Sequence, residues 1–424
     1  MLNKLSKIRN NINSNKDSKV LVQNFTYLSL LQVAGYIFPL ITMPYLARVI
    51  GVDGFGKIAF ATAAMIWLQA IADWGFNFTA TRDVAQNRDN PEKISEIFSN
   101  VLWARCVLMF FSGIILFILV IFVPLFKENK DVLLISFLMI PGHIMFPDWF
   151  FQAMERMKYI TILNVISKLL FTIAIFLFIK EKKDYILQPL LNSLGFLFSG
   201  IVAFYLILIK WKIKLRKPSL NCIFLTIHKG TDVFLNNLMP TLYNSFSTIL
   251  LGILGGEIAN GIFDAGKKFI LIVQQFMAML SRTFFPFLSR NIKKHYIYAK
   301  INIILSIVFS SLLFFFAPII INTFFTRDFL DSVIVLRIMS VSIFFLSLSN
   351  VYGTNFLIIN RMEHKLRNIT IVVSALGFIL SFPLIYIGGY IGAAITVTST
   401  RGLLGITTML VAKQQKQNVL TQDK

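Results

Sequence analysis

The sequence predicts an all-α, polytopic membrane protein with about twelve transmembrane helices arranged in two six-helix lobes. Composition is the first observation behind this prediction. Of the 424 residues, 56% are hydrophobic and only 14% are charged, and the mean hydropathy is +0.71. Soluble domains average about 25% charged residues. A chain with so few charges cannot bury its apolar surface in one aqueous core, so lipid must solvate much of it.

Apolar segments of membrane-spanning length are the second observation. A helix needs about 20 mostly apolar residues to cross the hydrocarbon core. Twelve segments meet this requirement: 24–47, 56–79, 100–124, 132–153, 159–179, 185–209, 232–254, 259–287, 298–321, 332–359, 367–386 and 389–411. The longest inner loop separates six spans from six. We therefore predict a basic tail at 1–23, an N-terminal lobe at 24–209, a cytoplasmic linker at 210–229, a C-terminal lobe at 230–411 and a tail at 412–424.

The distribution of basic residues predicts the orientation. With the N-terminus placed in the cytoplasm, 26 of the 41 Lys and Arg residues lie in inner loops and tails, and 8 lie in outer loops. Cytoplasmic loops of membrane proteins carry such an excess. We therefore expect a multi-pass membrane protein with both termini in the cytoplasm. The high content of Lys, Asn, Ile and Phe is typical of an AT-rich bacterial genome, so the membrane is expected to be the bacterial inner membrane. The formal net charge of +21 is explained by these loops, so no nucleic-acid partner is expected.

A weak internal repeat joins the two halves. The first span ends in Ile50-Gly51-Val52-Asp53 and is followed by Gly56, and the seventh ends in Leu254-Gly255-Gly256-Glu257 and is followed by Gly261. The distance to the later glycine differs by one residue when Gly51 is aligned with Gly255. Both halves start on the cytoplasmic side, so the pattern indicates a parallel repeat. Chance agreement between glycine-rich loops remains the alternative.

Motifs for catalysis, nucleotides and metals are absent from the sequence. It contains neither a P-loop nor a dinucleotide-binding glycine pattern, and its four histidines are scattered without metal-ligand spacing. The two cysteines, Cys106 and Cys222, are predicted to be free thiols. We expect no catalytic residue, no metal site, no resident cofactor and no enzymatic activity.

Charges within the predicted spans carry the functional signal, because a charge at membrane depth is costly and usually faces a partner or a wet cavity. Seven basic residues lie in spans, and two of them, Arg105 and Arg282, are close enough to helix ends to snorkel. The other five are Lys168, Lys267, Lys268, Arg337 and Arg401, and the acids are Asp73 and Asp264. Asp264 can pair with Lys267 or Lys268 one turn later. For Lys168, Arg337 and Arg401, pairing across helices and ligand binding both stay open. The cationic surplus favours an anionic substrate, since Arg binds phosphate oxygens in a bidentate fork.

The first hundred residues resemble the polysaccharide-transport flippases, the O-antigen flippases of the Wzx type within the multidrug/oligosaccharidyl-lipid/polysaccharide exporter superfamily. The runs that carry the resemblance are NFTYL at 24–28, YIFPLITMPYLARVIG at 36–51, GFGKIAF at 54–60, DWGFN at 73–77 and TATR at 79–82. The rest of the chain matches by hydropathy pattern alone. The resemblance implies a MATE-like, V-shaped pair of lobes around a cationic cavity.

The resemblance also implies the activity and the partners. It implies export of an undecaprenyl-pyrophosphate-linked oligosaccharide, for O-antigen or lipopolysaccharide biosynthesis, from the cytoplasmic to the periplasmic leaflet by alternating access. It adds Arg48 and Lys57 as gate or cavity cations, and Asp73 and Asp264 as candidates for coupling to a Na⁺ or H⁺ gradient. Membrane lipids, the polysaccharide polymerase and the chain-length regulator are the further partners that it suggests.

Three other functions fit the sequence less well than the export of a lipid-linked oligosaccharide. A MATE-type drug or cation antiporter would want carboxylates in the first span, and none lies between Asn24 and Ala47. A lipid II flippase usually has two additional C-terminal helices. A membrane enzyme of polysaccharide assembly would need a long outer loop with clustered Arg, Asp or His, which the sequence lacks.

Overall fold

The protein is described by a computed structural model that covers residues 16–290 and 292–422. The predicted tail at 1–23 therefore lies outside the described residues as far as residue 15. The α-helices are α1 (Lys16–Asp73), α2 (Phe76–Ala85), α3 (Pro91–Phe122), α4 (Pro124–Glu128), α5 (Lys130–Phe137), α6 (Met139–Met145), α7 (Asp148–Ala153), α8 (Met157–Phe178), α9 (Leu187–Tyr205), α10 (Leu220–Leu238), α11 (Thr241–Asn244), α12 (Phe246–Arg290), α13 (His295–Phe324), α14 (Ser332–Leu348) and α15 (Glu363–Gln422). No strand occurs in these residues, which confirms the all-α prediction.

The helices confirm a multi-pass membrane protein. In the described part of the chain, nine helical segments are long and apolar enough to cross a membrane. Three of them, within α1, α12 and α15, are bent at a glycine with positive φ: Gly51, Gly256 and Gly389. The bends at Gly51 and Gly256 lie between two predicted spans, and Gly389 is the first residue of the predicted span 389–411. Nine segments with three bends correspond to the twelve predicted spans.

Two of the bends have the same backbone geometry and correct the alignment of the repeat. Gly51 has φ 70° and ψ −178°, and Gly256 has φ 77° and ψ −173°. A side chain is strained at such φ values, so glycine is the residue that permits these bends. The structural equivalent of Gly51 is thus Gly256 rather than Gly255. With this register, Gly56 and Gly261 follow their bends at the same distance.

Local sequence signals explain where α3 begins and ends. The side chain of Asn90 accepts a hydrogen bond from the backbone N–H of Lys93 at 3.0 Å and caps the helix, and Pro91 occupies the first turn. Glu92 places a negative charge at the positive end of the helix dipole. Pro124 follows the last residue, Phe122, and stops the apolar helix there.

The seventh predicted span, 232–254, is not one helix. α10 starts at Leu220, inside the predicted linker 210–229, and ends at Leu238. Met239 and Pro240 interrupt the helix before α11, because proline disfavours helical geometry in the residue that precedes it. The sequence pattern missed this helix start because residues 220–229 mix apolar and polar side chains.

The chain packs as two compact units. Among the described residues, the first contains 16–45, 68–180 and 186–234, and the second contains 46–67, 181–185 and those from 235 to 422. The bend around Gly51 therefore packs with the C-terminal half of the sequence. The predicted division into lobes at 24–209 and 230–411 stays a prediction.

Apolar side chains cover much of the outer surface of the helices. Phe117 on α3 is 64% exposed and Phe315 on α13 is 72% exposed. Only 22% and 17% of the most apolar windows of these two helices are buried within the protein. Such exposure is unfavourable in water and is favourable against lipid chains, which agrees with the membrane class.

Buried polar residues join several helices of the second unit. Asn355, in a π-helical segment at Ser349–Ile358, donates hydrogen bonds to Ser281 at 2.6 Å and to the hydroxyl of Tyr298 at 2.9 Å. Asn302 donates to the same hydroxyl at 3.1 Å. These contacts fix α12, α13 and the π-helix against one another, because breaking them would leave polar groups unpaired in a dry interior.

Candidate functional site

The C-terminal unit contains two cations held by neutral groups, Lys267 of α12 and Arg401 of α15, which we call the buried basic pair. Arg401 is 2% exposed, and its Nε has no hydrogen-bond partner in the described part of the chain. Its Nη atoms donate to Ser342 Oγ at 3.0 Å, Asn244 Oδ1 at 3.2 Å and Gln274 Oε1 at 2.9 Å. None of these partners carries a negative charge.

Lys267 approaches the same residue of α11. Its Nζ donates to the backbone carbonyl of Asn244 at 3.1 Å and lies 5.4 Å from the centre of the Phe263 ring. Asn244 therefore contacts both cations of the buried basic pair, one through its side chain and one through its backbone. The arrangement holds two positive charges near one short helix without a carboxylate among their hydrogen-bond partners.

Lys268, the neighbour of Lys267, is neutralised locally. Its Nζ lies 2.9 Å from the carboxylate of Asp264, one helical turn earlier. The sequence left open whether Asp264 pairs with one lysine or with both, and the structure assigns the ion pair to Lys268. Lys267 lies about 100° further round the helix axis and points to Asn244 instead.

Lys57 and Arg48 lie on either side of the bend at Gly51. Lys57 pairs with Asp53 at 3.0 Å and lies 5.2 Å from the centre of the Tyr185 ring. Arg48 is exposed and makes no hydrogen bond or ion pair with the described residues. Neither of them contacts the buried basic pair, so their role as gate or cavity cations stays a prediction.

Arg337 lies apart from the buried basic pair. Its Nε donates to the backbone carbonyl of Phe314 at 3.3 Å, and its guanidinium lies 5.6 Å from the centre of that ring. Phe314 belongs to α13, where it is exposed together with its neighbours Phe315 and Phe316. Arg337 therefore lies beside exposed aromatic groups. A cation–π contact and the snorkelling of its long side chain account for a charge at this position.

In the N-terminal unit, Asp73 at the end of α1 contacts two basic side chains from other helices. Arg105 Nη2 donates to Asp73 Oδ1, and His143 Nε2 lies 3.3 Å from Asp73 Oδ2. Arg105 is 1% exposed, so the expectation that it snorkels to the membrane surface is wrong. We call Asp73, Arg105 and His143 the Asp73 triad. Two atoms of the guanidinium, Nε and Nη1, are buried without a partner in the residues described.

Lys168 is the remaining predicted cavity cation, on α8. Its Nζ lies close to Gly35 of α1, 3.5 Å from the position that a Cβ there would take. No hydrogen bond or ion pair joins Lys168 to any described residue, and the side chain is half-buried. It is therefore a cation at membrane depth that the described protein does not neutralise.

Sequence reasoning missed Arg105 and His143 and the neutral partners of Arg401. One signal was available for the first of these, since Asp73 and Arg105 are opposite charges in consecutive predicted spans. In the part of the chain that the structure describes, no group of three or more His, Cys, Asp or Glu residues could hold a metal ion.

Comparison with known proteins places the chain in a family. Residues 21–292 match the family model described as "Polysaccharide biosynthesis protein". A protein of Escherichia coli (strain K12) named "Putative O-antigen transporter" is 29% identical over 413 residues, which are 96% of this chain and 99% of that protein. A protein of the same name from Shigella dysenteriae is 26% identical over 92% of this chain and 100% of its own length.

Solved structures show the same fold. The lipid II flippase MurJ in an inward closed conformation has a TM-score of 0.71 and 16% identity, covering 93% of this chain and 87% of that one. An outward-facing MATE family multidrug transporter of the MOP superfamily has a TM-score of 0.60 and 15% identity, covering 95% and 96%. None of these relatives is named as an enzyme. These structures share the MATE-like fold expected from the sequence, and the family match shows that the chain belongs to the polysaccharide biosynthesis protein family.

Proposed function

We propose that the chain is a flippase that moves an undecaprenyl-pyrophosphate-linked oligosaccharide, the repeat unit of O-antigen or a related surface polysaccharide, from the cytoplasmic to the periplasmic leaflet by alternating access. The buried basic pair is the observation that carries the proposal. Burying an unneutralised guanidinium costs several kcal/mol, so a site that retains one without a carboxylate is suited to an anion that arrives with the substrate.

The chemistry of pyrophosphate fits the surroundings of the pair. Phosphate oxygens accept charge-assisted hydrogen bonds from Arg and Lys, and Arg can present two parallel donors. Asn244 and Gln274 hold the guanidinium now and could give up their hydrogen bonds to it at little electrostatic cost, because they are neutral. Lys268 is already paired with Asp264, which makes it a weaker candidate than Lys267 for contact with the anion.

The names of the relatives support the substrate class. The two curated relatives, which match over nearly their whole length, are named as O-antigen transporters. A drug or cation antiporter would be served by unpaired carboxylates, whereas Asp73 and Asp264 are both engaged by cations. A lipid II flippase would share the preference for a pyrophosphate, so the identity of the lipid that accumulates after gene deletion distinguishes the two substrates.

Ion coupling is proposed at the Asp73 triad. Asp73 is the carboxylate that holds Arg105, and a proton on Asp73 would weaken that ion pair and leave Arg105 to find another partner. His143 and Arg105 are the titratable and charged groups that face it. Asp264 is the second candidate, although it already pairs with Lys268. The proposed coupling ion is Na⁺ or H⁺.

Deletion of the gene with complementation tests the proposed function. The host without the gene would be stained for surface polysaccharide, and its undecaprenyl-linked sugars would be extracted. We expect loss of the surface polymer, accumulation of single lipid-linked repeat units on the cytoplasmic face, and recovery with the wild-type gene. An intact polymer together with new sensitivity to cationic drugs would contradict the proposal, and accumulated lipid II would assign the rival substrate.

A further inference from the structure

A cavity of about 290 Å³ lies within the first unit, and none of the charged residues of the preceding two subsections lines it. Its walls come from α2, the start of α3 and α10. Small-molecule sites commonly begin at about 300 Å³, so the cavity has room for one small ligand group. We propose that it binds a neutral sugar of the lipid-linked substrate, an assignment that rests on the proposed function.

Unpaired polar side chains line this cavity, which we call the α2–α10 pocket. Thr79 of α2 and Asn100 of α3 are half-buried, and Gln86 and Lys229 lie at its exposed edge. The side chains of these four residues make no hydrogen bond or ion pair with the described protein. Together they offer hydroxyl, amide and ammonium groups, which donate and accept hydrogen bonds as the hydroxyls of a sugar do.

The charges of the pocket argue against a phosphate. Two carboxylates, Asp83 and Glu96, belong to its lining, and a phosphate would have to compete with them for their partners Arg82 at 3.4 Å and Arg216 at 3.9 Å. Lys93, one of its two lysines, is paired with Glu96 at 3.0 Å. The lining is therefore balanced in charge, in contrast to the buried basic pair, and a neutral polyhydroxylated group fits it better than the pyrophosphate does.

Apolar side chains complete the lining. Ala80, Ile97 and Leu225 supply carbon surface beside the polar groups. A sugar ring combines C–H groups with hydroxyls, so it can bury the former and hydrogen-bond the latter in a pocket of this mixed composition. The pocket also lies at the ends of α2 and α3 that the distribution of basic residues predicts to be cytoplasmic, where the sugars of a substrate would be presented.

A native cysteine provides a direct probe. Cys222 lines the pocket and is exposed, whereas Cys106 is half-buried and lies outside the lining. In full-length protein carrying Cys106→Ser, reconstituted in lipid nanodiscs, the rate of Cys222 alkylation by a polar maleimide would be measured. The additions compared are the lipid-linked repeat unit extracted from the deletion host, undecaprenyl pyrophosphate without sugar, and buffer.

We expect the repeat unit to slow alkylation at least five-fold and the lipid without sugar to leave the rate unchanged. Asn100→Leu, which keeps the side-chain size and removes the hydrogen bonds, should abolish the protection. Asn360→Leu is the matched control, because Asn360 is exposed and, among the described residues, its side chain bonds only the backbone carbonyl of Phe356. Insertion and thermal unfolding of both variants would verify that each folds.

Other outcomes separate the two proposals. Unchanged alkylation with the repeat unit bound to the protein, or equal protection by the lipid without sugar, would overturn the sugar pocket and leave the flippase in place. If the repeat unit neither binds the protein nor accumulates in the deletion host, the proposed function fails and the pocket assignment falls with it.

Discussion

The backbone carbonyl of Glu257 occupies the space that a Cβ on Gly56 would need. The reverse contact has the same form, because the carbonyl of Val52 occupies the space of a Cβ on Gly261. Val52 and Glu257 each follow a bent glycine directly, and Gly56 and Gly261 occupy equivalent positions after the two bends. The two copies of the sequence repeat therefore contact each other reciprocally just after their bends, within one compact unit.

Gly56→Ala is expected to disrupt this contact. The new methyl group would meet backbone rather than a movable side chain, and overpacking of this kind costs about 1–3 kcal/mol. We expect a lower midpoint of thermal unfolding in detergent and reduced export in complementation. Gly388→Ala is the control, since nothing lies within 4 Å of a Cβ at that position. Equal effects of the two changes would show that the reciprocal contact is unimportant.

Asp73→Asn should destabilise the N-terminal unit. It leaves the Arg105 guanidinium buried without its counter-charge, and removal of one partner of a buried ion pair typically costs about 3–5 kcal/mol. Asp73→Asn combined with Arg105→Met removes both charges and should recover most of the stability without recovering export. Lys183→Met is the control, because the Lys183–Glu181 pair is exposed and such pairs contribute about 0–1 kcal/mol.

The double variant separates a structural role from a coupling role. Full export by Asp73→Asn with Arg105→Met would mean that the triad only holds the helices together. Loss of export in a stable double variant would support the proposed coupling. The measurement is thermal unfolding alongside surface-polysaccharide staining in the complemented deletion host.

The sequence predicts local relationships well and distant ones poorly. A lysine partner for Asp264 and the glycine at the bend of α1 follow from residues within one turn of each other, so a linear pattern indicates them. Arg105 and Asp73 are 32 positions apart, and their contact depends on how two helices rotate and slide against each other. The separation of Lys267 from Lys268 likewise depends on which face of α12 meets α11. The position of these charges within predicted spans indicated that they are functional candidates. Helix packing determines which groups each of them contacts.

Arg401→Met is expected to abolish export, because the proposed anion contact and the bonds to Ser342, Asn244 and Gln274 all need the guanidinium. Arg401→Lys should recover little, since a lysine cannot present the same fork of donors. Arg337→Met is the matched control, as the only hydrogen bond of its side chain to the described residues goes to Phe314 on the neighbouring helix. Normal export with Arg401→Met would remove Arg401 from the substrate path.

Lys267→Ala combined with Lys268→Ala should weaken export while the protein still inserts. The single changes are expected to differ, because Lys267 has a neutral partner and Lys268 is held by Asp264. Lys267→Met should reduce export more than Lys268→Met does. Complementation with quantified polysaccharide compares them, and the reverse order would assign the anion contact to Lys268.

Lys168→Met tests a cation that the described protein does not neutralise. Because no hydrogen bond or ion pair is lost and the half-buried ammonium group is removed, the thermal stability should stay the same or rise. Export should fall if Lys168 contacts the anionic substrate, since the charge then serves binding rather than folding. Lys158→Met, an exposed position on the same helix, should change neither quantity. A Lys168→Met protein that is destabilised but transports normally once folded would assign Lys168 a purely structural role, and the substrate path would then have to avoid the surface between α8 and Gly35.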